Sequence, residues 1–258
     1  MNCTALLKTM MNKMNKMKDM NSMINVNYIR EYFKSELAAE RFTIDKTGAK
    51  TIEMIGACFI ADQPAIFGTP SPKYIEAELA WYESMSTNIK DIHGPDKAPP
   101  AAWLYAADKH GNINSNYGNL VYADKYHNQY DRAFTELWNN PDSRRAQMIY
   151  NRPSIWVEFD EGGKSDFICT NAQTFYIRDN VLHMVSQMRS NDVVFGYKND
   201  YAWAQTLMDN FVDDWNQTAE FTDEIGAEIQ REPIVKGTLT WQVMNLHVYE
   251  RHFDLVKG

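Results

Sequence analysis

Two runs of alternating residues on either side of Asp179-Asn180 constrain the fold of this chain more than any other feature. The run before this pair reads TNAQTFYIR and the run after it reads VLHMVSQMR, and both contain β-branched and aromatic residues. Two such runs joined by a two-residue Asp-Asn pair are typical of a β-hairpin. The sequence therefore predicts two antiparallel strands in which Arg178 pairs with Val181.

Cys169 is the residue that this hairpin places in a reactive setting. Counting outward from the turn puts Cys169 opposite Ser190 and next to Arg189. A guanidinium beside a thiol favours the thiolate, so the pattern predicts a nucleophile with an anion site attached. The alternative is a cysteine that is simply buried, which is the common state of this residue in proteins.

The composition limits the functions that need to be considered. A chain of 258 residues fits one domain, or at most two, with a full core. Its net charge of -8 provides no basic surface for nucleic acid, so an anionic ligand should be small and held by a few local cations. Three cysteines without framework spacing predict a reduced cytoplasmic protein without zinc, and no apolar run is long enough to span a membrane.

Residues 1–24 differ in composition from the rest of the chain. They are rich in Met, Lys and Asn, and the lysines are scattered instead of preceding an apolar block, which argues against a signal peptide. We expect a poorly ordered extension here, followed by one folded domain over residues 25–258. A basic amphipathic tail and a translation start at Met20 or Met23 are the alternatives.

Hydrophobic periodicity predicts the remaining elements. Helices are expected over residues 27–39, from 72 to 82, over 129–139 and over 200–215, and strands over 51–61, 146–150, 154–159 and 238–249. The strand over 51–61 places Cys58 in the core. On the last strand, the odd-numbered residues from Leu239 to Tyr249 share one face. Helices interspersed with mostly antiparallel strands predict a single α+β domain.

Glu78 is a candidate for acid–base chemistry. It lies on the apolar stripe of its predicted helix, three residues after Ile75 and four before Tyr82. A buried carboxylate without partners is costly, so the group must find partners or take a raised pKa, which makes a general acid or base. The alternative is a carboxylate at the edge of the stripe that pairs with a neighbouring lysine.

Two further pairs of residues permit two interpretations each. Adjacent Arg144 and Arg145 follow a helix stop, and they are either solvated surface charge or a bidentate phosphate clamp. His247 and Tyr249 lie on one predicted strand face, where they either belong to the core or reach the hydroxyls of a sugar. The sequence has no glycine-rich phosphate loop, no Ser-His-Asp order and no metal-ligand spacing.

Several motifs resemble the thymidylate synthase family in their order and spacing. They are DKTGAKTIEMIGACF, GNINSNYG, NPDSRR, MRSNDVVFGYKNDYAW and LHVYERHF, and the resemblance covers residues 25–256. It is closer still to the bacteriophage branch of that family, which hydroxymethylates deoxycytidylate. The resemblance implies the α+β fold of thymidylate synthases: one catalytic domain with a mostly antiparallel or mixed sheet packed by helices, acting as a homodimer.

The resemblance also implies a covalent, folate-dependent mechanism. Cys169 would add to ring carbon 6 of a pyrimidine nucleotide, so that carbon 5 attacks the one-carbon unit of 5,10-methylenetetrahydrofolate. Glu78 matches the glutamate that organises water and proton transfer. No metal is implied.

Binding roles follow from the same resemblance. The phosphate ligands it implies are Lys46, Arg189 and Ser190, with Arg144 and Arg145 reaching across from the partner subunit. The other substrate contacts it implies are His247 and Tyr249 at the deoxyribose, Asn191 and Tyr117. The folate-side positions it implies are Trp103, Asp192 and Gly196.

Two departures from the synthase pattern predict the substrate and the product. Asp200 replaces an asparagine, and a carboxyl group fits cytosine because it accepts from the amine and shares a proton with the ring nitrogen. In isolation, an N-cap of the helix that follows is the alternative role for Asp200. Ala106, three residues after Trp103, replaces a second tryptophan. We hypothesise that water enters the space left there and attacks the methylene at carbon 5, giving 5-hydroxymethyl-dCMP and tetrahydrofolate.

The resemblance further implies partners and a setting. It implies dCMP as substrate, the cytoplasm of an infected host, a purpose in modified phage DNA, and phage nucleotide-synthesis or replication proteins as candidate partners. The first rival is a dUMP hydroxymethylase or a thymidylate synthase, which Asp200 disfavours. The second rival is a catalytically silent nucleic-acid-binding or scaffold relative, which the acidic charge and the intact Cys169, Glu78 and Arg189 disfavour.

Overall fold

One mixed sheet organises the protein. The structure is a computed structural model in which residues 24–44, 48–94 and 96–258 are described, so the extension predicted over 1–24 lies outside the described residues up to residue 23. The strands are β1 (Thr43–Ile44), β2 (Lys50–Ile60), β3 (Gln147–Ile149), β4 (Thr170–Arg178), β5 (Val181–Asp192) and β6 (Val235–Tyr249). Within the described residues these six strands form a single sheet in the order β1-β2-β6-β5-β4-β3.

Helices pack around this sheet. They are α1 (Val26–Ala38), α2 (Pro72–Glu83), α3 (Ala101–Ala106), α4 (Tyr117–Tyr122), α5 (Gln129–Asn139), α6 (Ile155–Glu158), α7 (Gly196–Glu224) and α8 (Phe253–Lys257). Neighbouring strands are antiparallel except β5 and β6, which run parallel and are joined by α7, because a parallel pair needs a long crossover. The predicted α+β class and mixed sheet are confirmed. Across the described ranges, no helix combines the length and apolarity needed to cross a bilayer.

Most of the predicted elements are present. The helices expected over 27–39 and 129–139 and the strand expected over 51–61 agree with α1, α5 and β2 to within one residue. The strand expected over 154–159 is wrong, since that segment contains the short helix α6. Pro153 precedes the segment and has no N–H for a ladder, and the Arg152 guanidinium pairs with Glu158 and closes the turn.

The hairpin is confirmed, but its register is displaced near Cys169. Arg178 pairs with Val181, and both turn residues have positive φ, 51° and 57°, as a two-residue hairpin turn with this twist requires. An irregularity between Thr170 and Ala172 then shifts the pairing by one residue. Cys169 consequently lies opposite Arg189, whose backbone N–H donates to the Cys169 carbonyl at 2.8 Å, so the predicted pairing with Ser190 is wrong.

The expected core position of Cys58 is also wrong. Cys58 is exposed, while Ala57 and Phe59 on either side of it are 5% and 2% exposed. Successive side chains of a strand point to opposite faces, and only one face of β2 is covered by helices in this chain. The continuous apolar run of β2 therefore does not indicate burial on both faces.

The predicted alternation of β6 holds only as far as Val243. Trp241 and Val243 are buried as expected, but beyond them Leu246 and Val248 are the buried residues. His247 is only half-buried and, with Tyr249, lines a pocket instead of the core.

An irregularity shared by three neighbouring strands causes this change. The β2–β6 and β6–β5 ladders skip Gly56, Met244 and Arg189, which lie side by side across the sheet. Gly56 has a φ of 71°, a conformation that glycine adopts without the strain of other residues. The buried face of each strand changes at this level, which directs Arg189 and the residues after it towards the pocket.

A stack of buried aromatic rings supports the floor of that pocket. The ring of Tyr82 on α2 lies 5.3 Å from the ring of Tyr117 on α4 and 5.3 Å from that of Trp203 on α7. The Trp203 indole in turn donates to the Tyr150 hydroxyl at 3.0 Å. Aromatic pairs contribute about 0.5–1.5 kcal/mol each beyond their burial. The stack therefore fixes α2, α4 and α7 relative to one another.

Gly118 allows α4 to approach the end of α2. A Cβ at this position would lie 1.8 Å from the backbone oxygen of Tyr82, which no shift of a side chain can relieve. Any larger residue must therefore separate α4 from α2. Because Tyr117 and Glu78 lie on these two helices, the contact also sets the geometry of the pocket.

We expect Gly118→Ala to lower the free energy of unfolding by more than about 3 kcal/mol, since it forces two backbone segments apart. Gly226→Ala is the matched control, because its Cβ would meet nothing within 4 Å and only its φ of 64° is unfavourable. That control should cost about 1–2 kcal/mol. Urea unfolding at one protein concentration measures both values. Equal losses for the two variants would contradict the role of Gly118.

Candidate active site

One pocket brings together most of the residues predicted from the sequence. It lies where β4, β5 and β6 approach α2, α3, α4 and α7. Its lining includes the predicted residues Glu78, Trp103, Tyr117, Cys169, Arg189, Ser190, Asn191, Asp192, Gly196, Asp200, His247 and Tyr249. Arg144 and Arg145 do not line it, and Lys46 lies outside the described residues.

Cys169 is held as a thiol. Burial raises its pKa to about 11, and this effect exceeds that of the Arg189 guanidinium, which lowers the pKa. Arg189 Nη2 donates to Cys169 Sγ at 3.6 Å and to the Phe167 carbonyl at 3.1 Å. The expected effect of the guanidinium is present, but the expectation of a net thiolate is wrong because desolvation outweighs it.

Glu78 is buried and bonded to neutral donors. It is 4% exposed, and burial raises its pKa to about 7. The Tyr74 hydroxyl donates to Glu78 Oε1 at 2.6 Å and the Trp103 indole N–H donates to the same oxygen at 3.2 Å. Both bonds favour the ionised form and partly offset burial. Among the described residues no lysine pairs with Glu78, so the alternative left open by the sequence is not found there.

Asp200 lies within α7 and not at its N-terminus. The helix begins at Gly196, four residues before the start predicted from the sequence, so the N-cap interpretation is wrong. Burial and the nearby charge of Glu78 raise the pKa of Asp200 to about 8, although hydrogen bonds from Asn191 and Tyr117 lower it. Asn191 Nδ2 donates to Asp200 Oδ2 at 2.7 Å. Asp200 is therefore a carboxyl group that keeps its proton near neutral pH.

Asp192 presents an unpaired acceptor on the other side of α7. Its Oδ1 accepts from the backbone N–H groups of Val194 and Phe195, at 2.9 and 2.6 Å, and so holds the turn that leads into the helix. Its Oδ2 is buried without a hydrogen-bond partner, 4.0 Å from the similarly unpaired Nδ1 of His252. Buried polar atoms normally have partners, so Oδ2 is suited to a ligand that brings a donor.

A second cavity adjoins the pocket at Arg189 and Ser190. It is also lined by His247, Tyr249, Glu53 and Asn245. Burial lowers the pKa of His247, so the imidazole is neutral. The Glu53 carboxylate accepts from Asn245 Nδ2 at 2.8 Å, which ties these two side chains of the cavity lining together. One face thus offers a guanidinium, a hydroxyl and a neutral imidazole to an anionic, hydroxylated ligand.

The adjacent arginines lie elsewhere on the surface of their own chain. Arg145 is largely exposed and its Nη2 lies 2.9 Å from Glu136 Oε1. Arg144 is exposed as well. Ser143 is buried and donates to the same Glu136 oxygen at 2.6 Å, which holds the loop. The two guanidiniums therefore project from an ordered loop, away from the pocket of this chain.

Sequence reasoning missed three residues that shape the site. Tyr74 lies four residues before Glu78, and this helical spacing was a signal that could have indicated the contact. Glu53 and Asn245 pair across β2 and β6, and their proximity depends on the register of two strands far apart in sequence. In the described part of the chain, no cluster of His, Cys, Asp and Glu is arranged to hold a metal ion.

Comparison with known proteins gives one consistent result. Residues 31–258 match the family described as Thymidylate synthase. Deoxycytidylate 5-hydroxymethyltransferase of Enterobacteria phage T4 is 45% identical over 233 residues, which cover 90% of this chain and 89% of that protein. The protein of the same name from Enterobacteria phage T2 has the same identity and coverage. Thymidylate synthase of Corynebacterium aurimucosum is 26% identical, covering 83% of this chain and 74% of that protein.

The fold is shared with a solved structure as well. The crystal structure of thymidylate synthase from T4 phage matches with a TM-score of 0.66, over 89% of this chain and 78% of that one. The identity is 20%, so this likeness concerns the fold. It agrees with the single mixed sheet described above.

In the protein without bound ligands, Cys169 should react slowly with iodoacetamide at neutral pH. With a pKa of about 11, its thiolate is a minor species at pH 7. We expect alkylation at least about a hundredfold slower than that of free cysteine, rising steadily to pH 10. Peptide mass spectrometry of timed samples separates Cys169 from the other cysteines. Alkylation at pH 7 as fast as that of free cysteine would contradict the dominance of burial over Arg189.

Proposed function

This chain belongs to the thymidylate synthase family, and we propose that it hydroxymethylates dCMP. The reaction takes the one-carbon unit of 5,10-methylenetetrahydrofolate to carbon 5 of dCMP and adds water, giving 5-hydroxymethyl-dCMP and tetrahydrofolate. Relatives that share 45% of its residues carry the name deoxycytidylate 5-hydroxymethyltransferase. The observation that carries the proposal is the carboxyl group of Asp200, bonded to Asn191, in the pocket of Cys169.

Asp200 is suited to cytosine and not to uracil. Cytosine presents an amine that donates and a ring nitrogen that accepts, and a protonated carboxyl group offers one acceptor and one donor. Asn191 donates to Asp200 Oδ2, which orients the group. Uracil presents a carbonyl and a ring N–H, which the amide of an asparagine would match instead. The base is therefore selected by the residue at position 200.

Covalent addition begins at Cys169. Its sulfur forms a bond to carbon 6 of the ring while the proton of Asp200 passes to ring nitrogen 3, so that an electron pair becomes available at carbon 5. The proton that the thiol gives up passes to the Asp200 carboxylate, which restores the carboxyl group. The folate would supply the one-carbon unit that carbon 5 takes up, and the proton that carbon 5 loses would neutralise the folate nitrogen that leaves. Arg189, whose Nη2 lies 3.6 Å from the sulfur, keeps the nucleophile oriented and favours its ionisation on attack.

Glu78 handles the water that completes the reaction. Water adds to the methylene on carbon 5 and Glu78 accepts one of its protons. Elimination of the Cys169 sulfur, which takes back the proton of ring nitrogen 3 through Asp200, then restores the aromatic ring. No electrons leave the folate, so tetrahydrofolate is released. Ala106 is half-buried and does not line the pocket, so its role in admitting water stays a prediction.

The pocket fits a folate. Asp192 Oδ2 is a buried acceptor without a partner, and the pterin ring of a folate carries amine and ring N–H donors. Trp103 and Phe195, the latter 56% exposed, offer aromatic surface in the same pocket. Gly196 keeps the start of α7 free of a side chain there. These residues would hold the folate, which supplies the one-carbon unit.

A homodimer accounts for the position of the paired arginines. Ile55 and Met244, on neighbouring strands, are 74% and 51% exposed, which marks an apolar face of the sheet that a second copy can cover. We propose that Arg144 and Arg145 reach from this face into the pocket of the partner, beside Arg189. The phosphate of dCMP would then meet cations from both chains. We also propose that it is a cytoplasmic enzyme of phage nucleotide metabolism, because its relatives of 45% identity come from phages T4 and T2.

The product distinguishes this activity from that of a thymidylate synthase. We expect incubation with dCMP and methylenetetrahydrofolate in ¹⁸O-labelled water to give 5-hydroxymethyl-dCMP carrying the label, without dihydrofolate. Mass spectrometry of the nucleotide and the folate measures both. The Cys169→Ala variant, the control, should give no product. Formation of dihydrofolate and a methylated nucleotide would overturn the proposal, and failure to bind dCMP would support a scaffold function.

Asp200→Asn should change the base that the enzyme accepts. We expect kcat/KM for dCMP to fall by about a hundredfold or more, because the amide has no proton to give the ring nitrogen, and the ratio of dUMP to dCMP turnover to rise. Asp213→Asn is the matched control, since Asp213 is exposed on the same helix. Steady-state kinetics with both nucleotides test this. An unchanged base preference in Asp200→Asn would remove Asp200 from base recognition.

A further inference from the structure

Tyr74 lies in the pocket without a part in the steps above. It is four residues before Glu78 on α2, so both side chains lie on one face of the helix. Its hydroxyl donates to Glu78 Oε1 at 2.6 Å. The indole nitrogen of Trp103 lies 3.0 Å from the Tyr74 hydroxyl oxygen and 3.2 Å from Glu78 Oε1. The three side chains thus form a closed triangle of hydrogen bonds.

The two carboxyl oxygens of Glu78 are not equivalent. Oε1 accepts from two donors, which occupy both of its lone pairs. Among the described side chains, none donates to Oε2. Within the described residues, the side-chain polar atoms that are both buried and without a partner are Asp192 Oδ2 and His252 Nδ1. Oε2 is not one of them, so it is accessible to a small molecule. Oε2 therefore opens into the pocket that Glu78 lines.

We infer that Tyr74 is a positioning residue that, together with Trp103, saturates Oε1 of Glu78 and leaves Oε2 as the oxygen that takes the proton of the attacking water. The inference rests on the proposed function for the identity of that water. Tyr74 acts through Glu78 and need not touch the nucleotide. Hydroxymethyl transfer requires a base oriented towards the attacking water. The three hydrogen bonds fix the orientation of the Glu78 carboxyl group and leave Oε2 as its free oxygen.

A role in packing alone does not explain the phenolic hydroxyl. Burial and the charge of Glu78 both raise the pKa of Tyr74, so the phenol keeps its proton and donates throughout the working pH range. The ring itself packs edge-on against His93, at 6.0 Å between ring centres. A phenylalanine would make this ring contact equally well. The hydroxyl contributes only the bonds to Glu78 and Trp103.

A titration of Glu78 must be distinguished from that of the ionisable groups around it. Tyr74 and Tyr82 on α2 and Tyr117 on α4 have pKa values raised by burial and remain neutral. Asp200 on α7 faces Glu78, and its pKa is about 8. His93 follows α2, and burial lowers its pKa. Near pH 7 the group that titrates close to Glu78 is therefore Asp200, while the lowered pKa of His93 keeps that imidazole neutral.

Tyr74→Phe tests the inference, with Tyr105→Phe as the matched control because Tyr105 is 75% exposed on α3. Carbon-13 NMR of glutamate labelled at Cδ follows the Glu78 carboxyl directly, and Glu78→Gln assigns its signal. We expect a wild-type midpoint near pH 7. Tyr74→Phe should raise that midpoint by about one unit, because a lost hydrogen bond to the carboxylate disfavours its charged form. Tyr105→Phe should leave it unchanged.

Turnover supplies a second, independent measurement. Glu78 accepts a proton, so activity rises with pH through its pKa, and the acid limb of kcat/KM should move upward with the NMR midpoint in Tyr74→Phe. KM for dCMP should change less than about twofold, because Tyr74 acts through Glu78. Trp103→Phe, which removes the other donor, should raise the midpoint as well and replaces Tyr74→Phe if that variant does not fold.

The outcomes separate this inference from the proposed function. If the wild-type enzyme makes no 5-hydroxymethyl-dCMP, the proposed function fails, while the NMR midpoint still decides whether Tyr74 governs Glu78. If the wild type makes the product and neither Tyr74→Phe nor Trp103→Phe moves the midpoint, the role of Tyr74 is wrong and the proposed function stands. A raised midpoint with a displaced acid limb supports both.

Discussion

The burial of two carboxyl groups in one pocket is the constraint on which the rest of this structure depends. Burial raises the pKa values of Glu78 and Asp200 to about 7 and about 8, and the charge of Glu78 contributes to the second. Two carboxylates so placed are rarely both ionised, because each charge opposes the other. Between these two values the pair holds about one proton, which the higher pKa of Asp200 places on that residue while Glu78 is free to accept another.

The architecture serves to hold these two groups and the thiol in fixed positions. Glu78 and Asp200 lie on α2 and α7, and the aromatic contacts of Tyr82 with Tyr117 and Trp203 lock these helices to α4. The sheet supplies the third component, because its shared irregularity at Arg189 aims that guanidinium at Cys169. A pocket assembled from distant segments in this way tolerates little movement, since interiors are close-packed.

Local sequence patterns predicted most of the helices and strands. The features that they did not predict depend on pairing between segments far apart in the sequence. The Asp179-Asn180 turn and the stripe that buries Glu78 are determined within a few residues, so the sequence predicts both. The position of Cys169 depends on one extra residue between Thr170 and Ala172, and no local signal indicates such a bulge. The exposure of Cys58 depends on what covers each face of β2. Whether Cys169 is a thiol or a thiolate depends mainly on its burial, which the charged residues near it in the sequence do not reveal.

A nucleophile that rests as a thiol is consistent with this pocket once its protons are counted. In the proposed reaction, addition to the ring moves the sulfur proton to Asp200, which passes its own proton to the ring nitrogen. The net charge of the pocket therefore changes little, which matters because separating charge in a buried site is costly. Arg189 lowers the pKa of Cys169, and Asp200 supplies the proton that the ring nitrogen takes up. The addition therefore does not require a free thiolate beforehand. An asparagine at position 200 could orient a base but could not supply this proton, which ties the choice of cytosine to the covalent step itself.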